Sequence, residues 1–248
     1  NIGIALLVDA VFMFVSVIVS ALNGYDESFS PLLLRGILTF TTGVFPIIFV
    51  SEKQAEINIR EGFAIIFFAL FLSCIFVMMP YALYGQEFSL INSWFESVSG
   101  FTATGATVLQ DIEALPRGLL FWRSSTHYIG GLGVVLFMMI ILPSIGSVKL
   151  KMSKEELVDV SKVNYNFKSN HLVKVIMSVY FGLTTALTLL LMVAGMGFFD
   201  AVNHAFCTVS TGGFSTRNAS IGAFGSRWIE FIIMAFMLLS SLHFGLIY

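Results

Sequence analysis

The stretch NSWFESVSGFTATGATVL, residues 92–109, decides how the rest of the chain is read. It opens with a short, mostly apolar segment, 92–101, and closes in a run of Thr, Ala and Gly that carries no charge. Crossing a bilayer core takes about 20 apolar residues, so a segment half that long suits a re-entrant half-helix instead. Non-helical backbone at membrane depth is tolerated only where protein buries it or water lines it, because each unsatisfied amide there costs several kcal/mol. The Thr-Gly loop is therefore expected to face a pore or a closed interior.

Around this stretch lie six runs long enough to cross a bilayer, at 2–22, 31–50, 62–84, 118–142, 175–199 and 228–248. The whole sequence of 248 residues is 57% apolar and 11% charged, with 26 Phe and a formal charge of -2, and its mean hydropathy is +0.89. That composition excludes disorder and gives no basic surface for nucleic acid. Cys74 and Cys207 both fall inside apolar stretches and offer neither a disulfide framework nor a zinc site. The expected fold is an all-α polytopic membrane protein with membrane lipid as its surroundings.

The seven lysines fall in two places, Lys53 and the stretch from Lys149 to Lys174, and the positive-inside rule puts both on the cytoplasmic side. The N-terminus is then cytoplasmic. Within the spans, Asp9, Arg35, Arg123, His127, Glu230 and His243 each need a partner or a wet cavity. The ordinary expectation for Arg35, Arg123 and Glu230 is snorkelling from near the span ends. Arg123 and His127, four residues apart on one helix face, are expected to form a polar anchor near the outer interface, with a pore-facing patch as the alternative. The stretch 146–174 reads as an interfacial linker, with a capping box at Ser153–Glu156. The chain starts without Met and its last span has no polar flank, so it reads as a fragment.

A second stretch, DAVNHAFCTVSTGGFSTRN at 200–218, has the same form as the first. With a shift of 107 positions, Thr104-Gly105 falls on Thr211-Gly212, Thr102 on Val209 and Ser97 on His204. A unit of span, half-helix, small-residue loop and span is thus used twice, as in many membrane transporters. A half-helix descending from the surface aims the negative end of its dipole at the membrane centre, and the loop after it can present successive backbone carbonyls to a cation. Small residues between helices also serve as packing devices or turns, but repetition of the whole unit favours the carbonyl-lined filter. His204 is expected to brace the second loop from behind and Glu96 the first. Gly130, Gly131 and Gly133 lie inside an apolar span and suit close helix packing or a hinge, not a nucleotide loop.

GFTATGATVL (100–109), HYIGGLGVVLF (127–137) and TVSTGGFSTRN (208–218) closely resemble the Trk-type transmembrane subunits of bacterial potassium uptake systems, within the Trk/Ktr/HKT superfamily. The resemblance covers nearly the whole chain and implies two of four pore repeats. It implies K⁺ uptake across the cytoplasmic (inner) membrane, with no organic cofactor and no enzymatic chemistry. Carried over, Gly105 and Gly212 are filter glycines. Ala103, Thr104, Ser210 and Thr211 supply carbonyls to K⁺, with Thr102 and Val209 at the inner end. Glu96, Arg123, His127 and His204 are pore-adjacent polar residues. The implied partners are a second copy of the subunit and a cytosolic nucleotide-binding (RCK-type) regulatory subunit.

On this reading, residues 1–61 form a preceding helix pair, 62–142 the first pore repeat, 143–174 the cytoplasmic linker and 175–248 the second repeat. The alternative within transport is a Ktr-like Na⁺-dependent channel subunit. The alternative from another class is an intramembrane serine hydrolase using Ser124 or Ser125 with His127, which lacks a G-x-S-x-G elbow.

Overall fold

The computed structural model describes residues 2–49, 59–133 and 169–241, and the regular elements among them are all helical. They are α1 (Ile2–Leu22), α2 (Phe29–Phe49), α3 (Ile59–Tyr84), α4 (Leu90–Phe101), α5 (117–133), α6 (Ser169–Val193), α7 (Phe198–Val209), a 3-10 turn (Ser220–Phe224) and α8 (Arg227–Ser241). Among the described residues, four stretches are long and apolar enough to cross a membrane: α1, α2, Phe63–Tyr84 of α3 and Lys174–Val193 of α6. Helices α5 and α8 run on to the edges of the described residues. The chain is a polytopic all-α membrane protein. Lys53, the lysines from Lys149 to Lys168, the Ser153–Glu156 capping box and His243 lie outside the described residues.

The fifth expected run, 175–199, is really two elements. Helix α6 stops at Val193, where Gly195 takes φ +99° and the N–H of Met196 reaches back to the Leu191 carbonyl. This left-handed glycine cap satisfies the last carbonyls and turns the chain. Phe198 and Phe199 then open α7 and do not extend the span. Similarly, α4 starts at Leu90, where the Ser89 side chain accepts from the Asn92 N–H.

Helices in lipid gain little from burying apolar surface against one another, so close packing and polar contacts hold them. In α1, Leu6, Ala10, Met13 and Val17 form a buried stripe at helical spacing, while Ile4, Val8, Val11, Val15 and Ile18 face outward. Helices α1 and α2 meet backbone to backbone at Gly3 and Gly43, and the pair packs on α3. The loop between them is locked to the first repeat by Asp26. Its carboxylate accepts from the hydroxyls of Ser20 and Ser28, both at 2.5 Å, and from the Gly118 N–H at 3.2 Å. Burial pushes the Asp26 carboxyl up, but these bonds outweigh it and hold it below the usual carboxylate range.

Two apolar clusters fill the interior, one around α1, α3, α4 and α5 and the other around α6, α7 and α8. Helix α5 belongs to both. Tyr128 stacks on Phe206 of α7 with ring centroids 4.3 Å apart, and its carbonyl accepts from the Tyr180 hydroxyl of α6 at 3.1 Å. The intramembrane charges separate into kinds. Glu230 is exposed and Arg35 half-buried. Asp9 is buried, with Ser73 of α3 as its polar neighbour. Arg123 does not snorkel: it is buried and paired within the protein.

Candidate functional site

Both half-helices are twelve residues long and end in the same way. At the end of α4 the Thr104 N–H returns to the Ser99 carbonyl and the Ala103 N–H to that of Gly100, with Ala103 at φ +54°. At the end of α7 the Gly212 N–H returns to Cys207 and the Thr211 N–H to Thr208, with Thr211 at φ +56°. Each is a left-handed cap on a residue other than glycine, a conformation costing about 1–2 kcal/mol that only well-packed surroundings maintain. The cap uses up the carbonyls of Val98, Ser99 and Gly100 in the first helix and of Phe206, Cys207 and Thr208 in the second. Among the described residues, no donor reaches the carbonyls of 102–105 or of 210–213. The two loops therefore hold eight carbonyl oxygens without partners among the described residues, and Thr102, Thr104, Thr211 and Gly213 are exposed.

These details set the register of the repeat, and it is 108 positions, not 107. Helix α4 begins at Leu90 and α7 at Phe198. The Thr102 hydroxyl donates to the Val98 carbonyl at 2.7 Å, and the Ser210 hydroxyl to that of Phe206 at 2.7 Å. Ser210, not Val209, thus stands where Thr102 stands. Val209 is a buried last residue of α7, matched to Phe101. The bent glycine that answers Gly105 (φ +78°) is Gly213 (φ +112°), not Gly212. His204 answers Glu96 and not Ser97, whose hydroxyl donates to the Cys74 carbonyl at 2.6 Å.

Gly212 has its own steric reason. A Cβ there would enter the imidazole of His127, and a Cβ on Gly105 would enter the Gly212 carbonyl, so the two loops touch. Behind them, Gly130 meets the Phe101 carbonyl and Gly131 meets Ser210, which assigns this glycine pair to close packing of α5 on both loops.

Polar braces hold each loop from behind. In the first repeat the Glu96 carboxylate accepts from the Thr107 hydroxyl at 2.9 Å and the Val108 N–H at 3.3 Å. In the second, His204 Nε2 pairs with the Ser215 hydroxyl at 3.1 Å, while its Nδ1 lies 2.8 Å from the Asp200 carbonyl. Thr107 and Ser215 then each accept from the N–H two residues on, at 3.2 Å and 3.0 Å. The brace is the same in both repeats, with different chemistry.

Arg123 and His127 are both buried against the second loop. Arg123 Nε donates to Glu96 at 2.5 Å and Nη1 to the Ser215 carbonyl at 3.0 Å, and its guanidinium lies 3.7 Å from the Phe214 ring centroid. His127 meets the same ring edge-on at 4.0 Å. Ser124 and Ser125 donate to carbonyls four residues back in their own helix. No serine–histidine pair exists among these residues to make a nucleophile.

Beyond the loops, the two repeats are clasped by Asn218. Its side chain accepts from the Ile112 N–H at 2.7 Å and donates to Asp111 at 2.8 Å, and its own N–H reaches Glu113 at 3.2 Å. The bond from Asn218 holds the exposed Asp111 carboxyl below the usual range. Asp200 accepts from Thr216 at 2.6 Å and Arg217 at 2.9 Å, fastening the chain after the second loop to the start of α7. Phe214, Thr107, Ser215, Gly213 and Asn218 thus join the candidate site, and residue identity at a shift of 107 concealed them. The hydroxyl pairs Thr102/Ser210 and Thr107/Ser215 were the signal that could have found them.

The family model described as TrkH, cation transport protein, matches residues 31–248. The Trk system potassium uptake protein TrkH of Halomonas elongata is 37% identical over 215 residues, covering 84% of this chain and 44% of that protein. Its namesake in Escherichia coli K12 is 35% identical over 197 residues, covering 79% and 41%. The crystal structure of the potassium transporter TrkH from Vibrio parahaemolyticus superposes with a TM-score of 0.84 at 28% identity, covering 98% of this chain and 49% of that one. The chain therefore spans a little under half the length of these relatives.

Proposed function

The chain belongs to the TrkH family of cation transport proteins, and from that premise we propose that it supplies two walls of a filter through which K⁺ enters a bacterial cell across the cytoplasmic membrane. The observation that carries this reading is the pair of open loops with their eight unpartnered carbonyls at the C-terminal ends of two matched half-helices. Dehydrated K⁺ needs closely spaced oxygen dipoles in place of its water, and the negative helix ends favour a cation there without any carboxylate in the loops. Ala103, Thr104 and Gly105 face Thr211, Gly212 and Gly213 as the candidate lining, with Thr102 and Ser210 at the helix ends. The relatives, named as potassium uptake proteins, support the choice of ion.

We infer further that residues 62–142 and 175–248 are the first and second pore repeats, 1–61 a preceding pair and 143–174 a cytoplasmic linker, with the N-terminus inside. On the same reading the assembled transporter works with two partners, a second copy of itself and a cytosolic nucleotide-binding regulatory subunit.

The test is K⁺-dependent growth of an uptake-deficient bacterium carrying the full-length gene, wild type beside Gly105→Ser, with the amount of protein in the membrane measured. Rescue by wild type and a raised K⁺ requirement for the variant is the expected result. Equal rescue by both would refute the filter assignment. Failure of a well-expressed wild type to rescue would refute K⁺ uptake itself.

A further inference from the structure

The Arg123 side chain touches the bracing of both loops. On one side its Nε holds Glu96, the carboxylate that fixes Thr107 and Val108 just after the first loop. On the other, its Nη1 holds the Ser215 carbonyl and its guanidinium face covers the Phe214 ring, both just after the second loop. Phe214 and Ser215 follow directly on Gly213, so the contacts that hold them anchor the chain at the end of the second loop. The loops themselves meet where Gly105 touches the Gly212 carbonyl. The guanidinium thus forms a second bridge behind that contact.

The two repeats are unequal here. In the first, the brace residue Glu96 is charged and brings its own guanidinium; in the second, the equivalent His204 is held by Ser215 and a helix carbonyl. One cation-bearing residue therefore serves two loops. A buried ion pair is a weak source of stability in itself, because the cost of desolvating both charges offsets most of their attraction. Its use here is geometric. A planar fork can donate in two directions and present its flat face to a ring at once, and an ammonium cannot.

We propose that Arg123 is a positioning residue for ion selectivity, setting the spacing of the two candidate filter loops through Glu96 on one side and Phe214 with Ser215 on the other. This rests on the reading of those loops as the K⁺ filter. A change in spacing alters discrimination between ions of different radius more than it alters the presence of a pathway, and that separates positioning from a merely structural role.

The experiment measures K⁺ uptake by K⁺-depleted cells carrying the full-length protein, with Na⁺ as competitor and as the substituted transported ion. Wild type, Arg123→Lys and Phe214→Leu are compared at matched membrane levels. Lysine keeps the charge opposite Glu96 but loses the fork and the stacked face, and leucine keeps the apolar character but loses the ring. Arg123→Lys is expected to lower the preference for K⁺ over Na⁺ about five- to tenfold while uptake persists, with a shift in the same direction for Phe214→Leu. The double variant is expected to be no worse than Arg123→Lys alone, since the two act through one contact.

Selectivity within about twofold of wild type in both variants would overturn the proposal and leave the filter reading standing. If Arg123→Lys does not reach the membrane, the Phe214→Leu ratio alone decides in the same two ways. A wild type that carries K⁺ no better than Na⁺ would instead overturn the filter reading, and this inference with it.

Discussion

Gly212 and Gly213 are adjacent, and alanine at either is expected to harm the protein for opposite reasons that one further substitution separates. At Gly212 the φ angle is ordinary, but the new Cβ would fall within the His127 imidazole, whose Cδ2, Nε2 and Cγ are its nearest neighbours. That ring has no room to retreat, being buried with Phe214 against it at a centroid distance of 4.0 Å. Overpacking of this kind costs about 1–3 kcal/mol, a factor of roughly 5–150 in the fraction of molecules with the loop in place. At Gly213 nothing stands within 4 Å of the added Cβ, but φ is +112°, which a side chain adopts only at a cost of about 1–3 kcal/mol. Both single variants should therefore lower initial K⁺ uptake at limiting external K⁺ by similar factors. Adding His127→Ala removes the obstacle in the first case only. The pair Gly212→Ala with His127→Ala should recover at least about fivefold relative to the product of the single effects, and Gly213→Ala with His127→Ala should recover nothing. Wild-type uptake by Gly212→Ala, or equal recovery of both glycine variants by His127→Ala, would refute the packing argument.

Asp26→Asn should lower the melting temperature of the detergent-purified protein at pH 7, because a carboxylate that accepts from Ser20, Ser28 and the Gly118 N–H is worth about 1–2 kcal/mol even when partly screened by solvent. Its folded-state pKa lies below the unfolded value, so this stability is complete above about pH 4 and is lost as the pH falls through the lower folded value. The gap between wild type and variant must then close in acid, and a gap that widens there would contradict the assignment. Ser125→Ala should leave K⁺ uptake unchanged, since its hydroxyl donates to a carbonyl of its own helix; loss of uptake would give this serine a role the geometry does not.

Much of this protein is legible along the chain. An apolar run long enough to cross a bilayer, or too short to do so, is a local property, and the helices lie close to where those runs lie. The two half-helices were equally plain, as were the braces at Glu96 and His204. Two kinds of error arose where neighbours in space mattered. The run 175–199 looked continuous because Gly195 is a small residue in an apolar stretch, and only its positive φ marks the break. Arg123 looked like a residue reaching for the interface because nothing near it in sequence carries a negative charge. Its partner Glu96 lies 27 positions away on another helix.

The register of the repeat shows the same division within a few residues. Matching letters favoured Thr104-Gly105 over Thr211-Gly212, because identity of side chains is all a sequence comparison can weigh. The folded backbone instead matches what each residue does: hydroxyls at Thr102 and Ser210 that close a helix, left-handed residues at Ala103 and Thr211, and bent glycines at Gly105 and Gly213. The sequence alone determined that the chain lives in a membrane, that it turns back twice part-way through, and that both turns end in uncharged loops. Those properties follow from hydropathy and length, which each segment carries by itself. Tertiary structure decided which carbonyls are left open, which glycine answers which, and which side chains stand behind the loops. Those depend on hydrogen bonds and close contacts between helices, above all at Arg123, His127 and Gly212, where residues far apart in the chain compete for the same few ångströms.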